Sequence, residues 1–180
     1  MTRIAIAALA ILVATGAHAD EPVTLDSIAH QPGPLKEDKV VYLVREADGG
    51  NIVNQLDRAG VIYSASRFAG LVLLEGNYDK LNLGEYAFRA GESMYDVERE
   101  LIAHRVVRYK LTIPKGLTSE QVVERLREDP VLIGEIGEIP PDGSLEPDTY
   151  YFERGDTRQS LLTRIEASHA RRVLKDAPAQ

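Results

Sequence analysis

The stretch Gly84-Glu85-Tyr86-Ala87-Phe88-Arg89-Ala90-Gly91-Glu92-Ser93-Met94-Tyr95-Asp96-Val97 changes its hydrophobic period partway along. Tyr86 and Phe88 follow the two-residue rhythm of a half-buried strand. Val97 and Leu101, four apart, mark one face of a helix. Gly91 punctuates the turn, and Ser93 stands where a helix N-terminus needs a cap, with Asp96 at capping-box spacing. The same grammar returns 25 residues later. Leu111 and Ile113 take the places of Tyr86 and Phe88, Gly116 that of Gly91, and Thr118 with Gln121 that of Ser93 with Asp96. Val122 and Leu126 form the new apolar stripe. A weaker copy lies 45 residues before the middle one, with Val41, Leu43, Asp48, Ile52 and Leu56 in the corresponding positions. Three strand-then-helix units predict an α+β fold assembled from small pieces. These apolar positions build a core; by themselves they name no ligand.

Outward from the repeat, Val61 to Ser64 reads as a turn, and Phe68 to Leu74 as a further helix. Tyr78 to Leu83 leads into the strand at Glu85 to Arg89. Residues 20–39 contain the breakers Pro32-Gly33-Pro34 and little apolar periodicity, so they are expected to be a tether. Residues 1–19 read as a cleavable export signal. Arg3 gives a positive start, Ile4 to Ala14 is an apolar run too short for a membrane span, and Ala17-His18-Ala19 is a small-x-small cleavage pattern. The expected location is periplasmic or secreted; the alternative is an inner-membrane anchor formed by an uncleaved N-terminus. Residues 176–180 are expected to be a disordered tail.

The 180 residues contain no cysteine, which excludes disulfides and thiolate chemistry, and no metal-ligand spacing is present. No cofactor is expected. The formal charge is −7 without any dense Lys/Arg patch, which argues against a nucleic-acid partner.

The chemistry-bearing stretch is Pro141-Asp142-Gly143-Ser144-Leu145-Glu146-Pro147-Asp148-Thr149-Tyr150, followed by Tyr151. Four segments together resemble the YceG-like endolytic murein transglycosylases, also called MltG. These are Gln55 to Ser64 with Phe68, Leu83 to Phe88 with Gly91 to Met94, Leu111 to Thr118, and Asp142 to Tyr150, in the family's order. The resemblance implies a LysM-like, peptidoglycan-binding region over residues 40–107. It further implies the N-terminal part of a transglycosylase domain over 108–175. The implied chemistry is cleavage within glycan strands to 1,6-anhydro ends, beside the proteins that synthesise the cell wall. This chain departs from the family pattern at Lys115, where glutamate is usual, at Asp142, again in place of glutamate, and at Glu146, where an apolar residue is usual. The family's acid lies in a later Ser-Ile-(Val/Ile)-Glu-Lys-Glu helix with no match here. Thr157 to Leu174 is a helix corresponding to the one before it, so the expectation is a chain truncated ahead of the catalytic glutamate.

A lytic transglycosylase needs one carboxyl group that protonates the glycosidic oxygen and then accepts the C6 hydroxyl proton, within a closed cleft. Glu146 and Asp142 are the catalytic candidates. However, four acids in an exposed proline-rich turn would remain ionised, and Asp148 with Thr149 could serve as a local cap. Tyr150 and Tyr151 could stack on a sugar face, giving Asp148, Thr149, Tyr150 and Tyr151 as the candidate glycan-binding set. In a strand, one tyrosine of that pair is expected to face the core. His104 and His169 look isolated. The leading expectation is a murein-associated binding module without cleavage activity. The alternatives are a minimal lytic transglycosylase, or a docking partner of a full-length homologue using Leu161, Ile165 and Val173 on the last helix.

Overall fold

The computed structural model describes residues 24–45 and 51–176. The expected export signal, Asp48 and residues 177–180 lie outside them. The element order is α1 (Leu25–Ala29), β1 (Lys39–Leu43), α2 (Ile52–Arg58), α3 (Ala65–Leu74), β2 (Gly84–Phe88), α4 (Met94–Ile102), β3 (Arg108–Thr112), α5 (Ser119–Glu128), β4 (Thr149–Glu153) and α6 (Arg158–Asp176). The fold is α+β, and each of the three expected strand-then-helix units is present as β1–α2, β2–α4 and β3–α5.

The caps follow local chemistry. Thr118 and Gln121 form a reciprocal capping box on α5. Ser93 caps α4 by accepting from the Asp96 amide, but its hydroxyl donates to the Asp96 carboxylate at 2.6 Å, so that box is not closed through the backbone. On α2 the cap is Asn51, whose side chain accepts from the Asn54 amide at 2.9 Å.

The strands do not pair in the order of the repeat. β1 runs antiparallel to β2, with Lys39 opposite Phe88 and Leu43 opposite Gly84. β3 runs antiparallel to β4, with Arg108 opposite Glu153 and Thr112 opposite Thr149. Each two-stranded ribbon depends on helices for its hydrophobic cover. Leu43, Leu56, Phe68, Tyr86, Phe88 and Leu101 fill a first core, whereas Val123, Leu126, Phe152, Leu161, Leu162 and Ile165 fill a second. β4 belongs to the segment read as an exposed turn; the turn ends at Asp148, and the chain then completes the second sheet.

The segment expected as a tether is docked from Thr24 onward. Ala29 is fully buried, and Leu25 and Ile28 pack on the first core. Gly33 donates to the Gly91 carbonyl, the Gly91 amide donates to the Leu35 carbonyl, and the Ala90 amide donates to Asp38 Oδ1. A Cβ at Gly33 would lie 2.0 Å from the Glu92 carbonyl oxygen, so the backbones can approach only at glycine. The two glycine bonds are made by the main chain alone, which is why side-chain periodicity gave no sign of them. The last expected helix is also confirmed in α6, but it extends to Asp176.

One buried acid stands apart. Glu98 of α4 has no exposed surface; Asn77 donates to its Oε1 at 3.0 Å, while Oε2 has no hydrogen-bond partner. Burial, with a smaller contribution from Glu75, raises its pKa above the ordinary 4.5. The unfolded chain therefore ionises at lower pH than the folded one, and stability falls as pH rises from about 4.5 through the folded value. Glu98→Gln retains the acceptor for Asn77 and removes the charge. It should raise the melting temperature at neutral pH, with the gain shrinking toward pH 4.5. An equal gain at every pH in a thermal-melt series would contradict this account.

Candidate functional site

The turn before β4 is bolted to the start of α5. Asp142 Oδ1 accepts from the Ser119 amide at 2.7 Å, so this carboxylate covers a free N–H in the first turn of the helix. Ser119 Oγ and Ser144 Oγ both donate to the Pro141 carbonyl, at 2.8 and 2.7 Å. Leu145 then turns into the second core. One methylene shorter than glutamate, Asp142 makes a cap contact and is itself exposed.

Glu146 is held from the other side by α6. Its Oε2 lies 2.6 Å from Arg172 Nε and 3.3 Å from His169 Nδ1, with the carboxylate side chain 14% exposed. The Tyr150 hydroxyl donates to the Glu146 main-chain carbonyl at 2.7 Å. A carboxylate receiving a guanidinium N–H acts as an acceptor, anchoring the turn to the far end of α6. His169 is thus engaged with Glu146, and His104 with Glu153, through Nε2 to Oε2 at 2.9 Å. Neither histidine is isolated, because the fold brings an acid to each from more than 20 residues away.

The four expected glycan-binding residues divide between two faces. Asp148 Oδ1 accepts from the Thr149 amide at 2.7 Å, as a local cap would, and its carbonyl accepts from Ile113. Tyr150 turns inward onto the second core beside Leu111; burial pushes its phenol pKa upward. Tyr151 points outward and is 57% exposed. The pleat explains the split, since adjacent strand residues cannot share a face. The outward face presents Arg108, Lys110, Thr112, Thr149, Tyr151 and Glu153, with the Thr112 and Thr149 hydroxyls 2.9 Å apart.

Beside Tyr151 lies a cavity of about 280 Å³, lined also by Arg108, Glu153, Asp156 and Arg164. Arg164 pairs with Asp156 at 3.4 Å on its wall. Sequence reasoning missed Arg108, Asp156 and Arg164, because only the β3–β4 register and the start of α6 bring them together. A second cavity of about 260 Å³ opens on the first unit between β1 and the turn before β2. Val44, Ile52, Leu81 and Leu83 give it an apolar floor, and Asn51 and Tyr78 meet at its rim through a 3.3 Å hydrogen bond.

The docking face expected on α6 is largely consumed. Leu161 and Ile165 are wholly buried in the second core, leaving Val173 at 53% and Leu174 at 75% exposure near the helix end. Among the described residues no group of three acid or histidine side chains could hold a metal, and no helix is long and apolar enough to cross a membrane.

The YceG-like family model matches residues 41–180, and the chain belongs to that family. A crystal structure of a YceG-like protein from Listeria monocytogenes is similar at 20% sequence identity and a TM-score of 0.36, over 78% of this chain and 57% of that one. This chain therefore spans little more than half the length of that relative. No curated protein matches.

Asp142→Ala should lower stability by about 1 kcal/mol, the usual cost of losing a helix N-terminal cap, as read by urea denaturation. Asp142→Asn, which keeps an oxygen acceptor, should recover most of that loss. Full stability in the alanine variant would contradict the capping role.

Proposed function

We propose that the described residues form a murein-binding unit, exported to the cell wall, that does not itself cut glycan. Membership in the YceG-like family relates the chain to MltG-type murein transglycosylases and supports peptidoglycan as the partner. The observation that carries the non-cleaving reading is the commitment of both candidate acids: Asp142 caps α5, and Glu146 is paired with Arg172 and His169. A general acid must present a proton to a substrate oxygen across a cleft, and the contacts of both carboxyl groups favour an anchoring role instead.

Two surfaces suit a glycan strand. The outward tyrosine beside a polar cavity at Tyr151 offers a ring for a sugar's apolar face and hydrogen-bonding groups for its hydroxyls. The groove rimmed by Asn51 and Tyr78 belongs to the unit read as LysM-like and combines an apolar floor with polar edges. Cell-wall synthesis proteins remain the implied neighbours. With neutral saccharide as the ligand, no cofactor enters the proposal.

The test is sedimentation of the chain with purified sacculi, followed by mass spectrometry of the supernatant. The chain should enter the pellet and release no anhydro-muropeptides. Tyr151→Ala should weaken retention by up to about tenfold, the scale of one lost aromatic contact. Anhydro products that disappear with Glu146→Gln would overturn the non-cleaving reading and make the chain a minimal transglycosylase. Absence from the pellet would overturn murein binding.

A further inference from the structure

A further cavity, of about 520 Å³, lies on the second strand-then-helix unit and shares no lining residue with the two described above. It is cut between the end of β2 and the outer side of α4. Arg89, just after β2, Arg99 in α4 and Arg105 after α4 bring three guanidinium groups to its wall. Asp96 and Glu100, four residues apart on α4, contribute carboxylates from one side of the helix, and Glu92 adds a third from the turn before it. The Tyr95 ring, stacked on His30 at 4.4 Å, supplies an aromatic wall, with the Arg99 guanidinium 5.7 Å from its centroid.

The arrangement is unusual in what it leaves unmade. None of the three arginines forms an ion pair with a carboxylate within 4.0 Å among the described residues. Their charges still reach the floor, since Arg105 and Arg89 partly offset the upward push of burial and Glu92 on the Glu100 carboxyl. The three guanidiniums thus line a gap without a carboxylate partner, while of the acids beside them Glu92 accepts from the Arg89 amide at 2.8 Å and Asp96 from the Ser93 hydroxyl at 2.6 Å. A ligand bearing both carboxylates and an ammonium group would fill that gap. It would give the guanidiniums the paired oxygens they match in geometry and would give the acids a cation.

From this geometry we propose that the cavity between β2 and α4 binds the peptide portion of murein, through its carboxylates and free amine. The inference rests on the murein reading above and names the part of the polymer this site takes. In murein the lactyl carboxyl of the glycan is consumed in an amide bond, so ionised groups reside on the stem peptide. A neutral sugar strand has no use for three guanidiniums, whereas a short peptide with several carboxylates and a diamino acid does. The glycan surfaces and this cavity then divide the polymer between them.

The experiment measures three ligands against the full chain and an Arg89→Gln, Arg99→Gln, Arg105→Gln variant: a free stem peptide, glycan strands stripped of peptide, and intact sacculi. These arginines are exposed, so the variant should fold, and retained binding of stripped strands reports that directly. The wild-type chain should bind stem peptide saturably, and binding should weaken with salt. The variant should lose stem-peptide affinity by about tenfold or more and hold stripped strands as the wild type does. If the wild type binds stripped strands but not stem peptide, or if the variant binds the peptide equally well, this inference is overturned while the murein reading survives. If the wild type retains none of the three ligands, the murein reading itself fails.

Discussion

Glu85 sits almost out of water between two hydrophobic cores, and its carboxylate ties them together. Arg154 Nε reaches one oxygen at 2.7 Å and the Tyr109 hydroxyl donates to the other, while Arg154 Nη2 approaches the same hydroxyl at 3.2 Å. The Arg154 guanidinium also lies 5.7 Å from the ring centroids of both Tyr42 and Tyr109. Residues from β1, β2, β3 and the turn after β4 meet in this cluster. Burying a charged carboxylate is costly unless it is paired and hydrogen-bonded, so this pairing favours one arrangement of the two halves. The Val107 amide donates to the Glu85 carbonyl at 2.7 Å, and His104 reaches Glu153, adding two more ties at the boundary. Gly155, at φ +99, leaves room for the Tyr42 hydroxyl, which would be 2.9 Å from a Cβ there.

That clasp determines what each surface can do. With β2 joined to β3 and β4, the outward face carrying Tyr151 and the groove beside Tyr78 belong to one body. The acids of the Pro141–Tyr150 turn are then best understood as fasteners. Asp142 holds the turn to α5 and Glu146 holds it to α6, so the departures from the family pattern at these two positions have structural partners.

Much of this was legible from the chain. The period change at Tyr86 to Leu101, and its copy at Leu111 to Leu126, located two strands and two helices with their caps, because those signals are local. The inward and outward division of Tyr150 and Tyr151 likewise follows from the strand pleat. Strand pairing was not legible. β4 hides behind a turn rich in proline and acid, and only its bonds to β3 make it a strand. The docked segment at Gly33 escaped for a similar reason, since main-chain bonds leave no trace in composition. The partners of His104, His169 and Glu146 lie in other elements, so single-residue reasoning saw isolated groups where the fold makes pairs. The family resemblance, by contrast, was carried by four ordered segments and agrees with the family match over residues 41–180.

The central claim is that the Glu85–Arg154 pair couples the two cores into one cooperative unit. It is tested most directly by a double-mutant cycle of Glu85→Gln and Arg154→Met in urea unfolding. The account predicts a coupling energy of about 1 kcal/mol or more, as for residues sharing one buried network. It also predicts that the single transition of the wild type broadens or splits in the single variants. Additivity to within about 0.3–0.5 kcal/mol, with one sharp transition throughout, would contradict it.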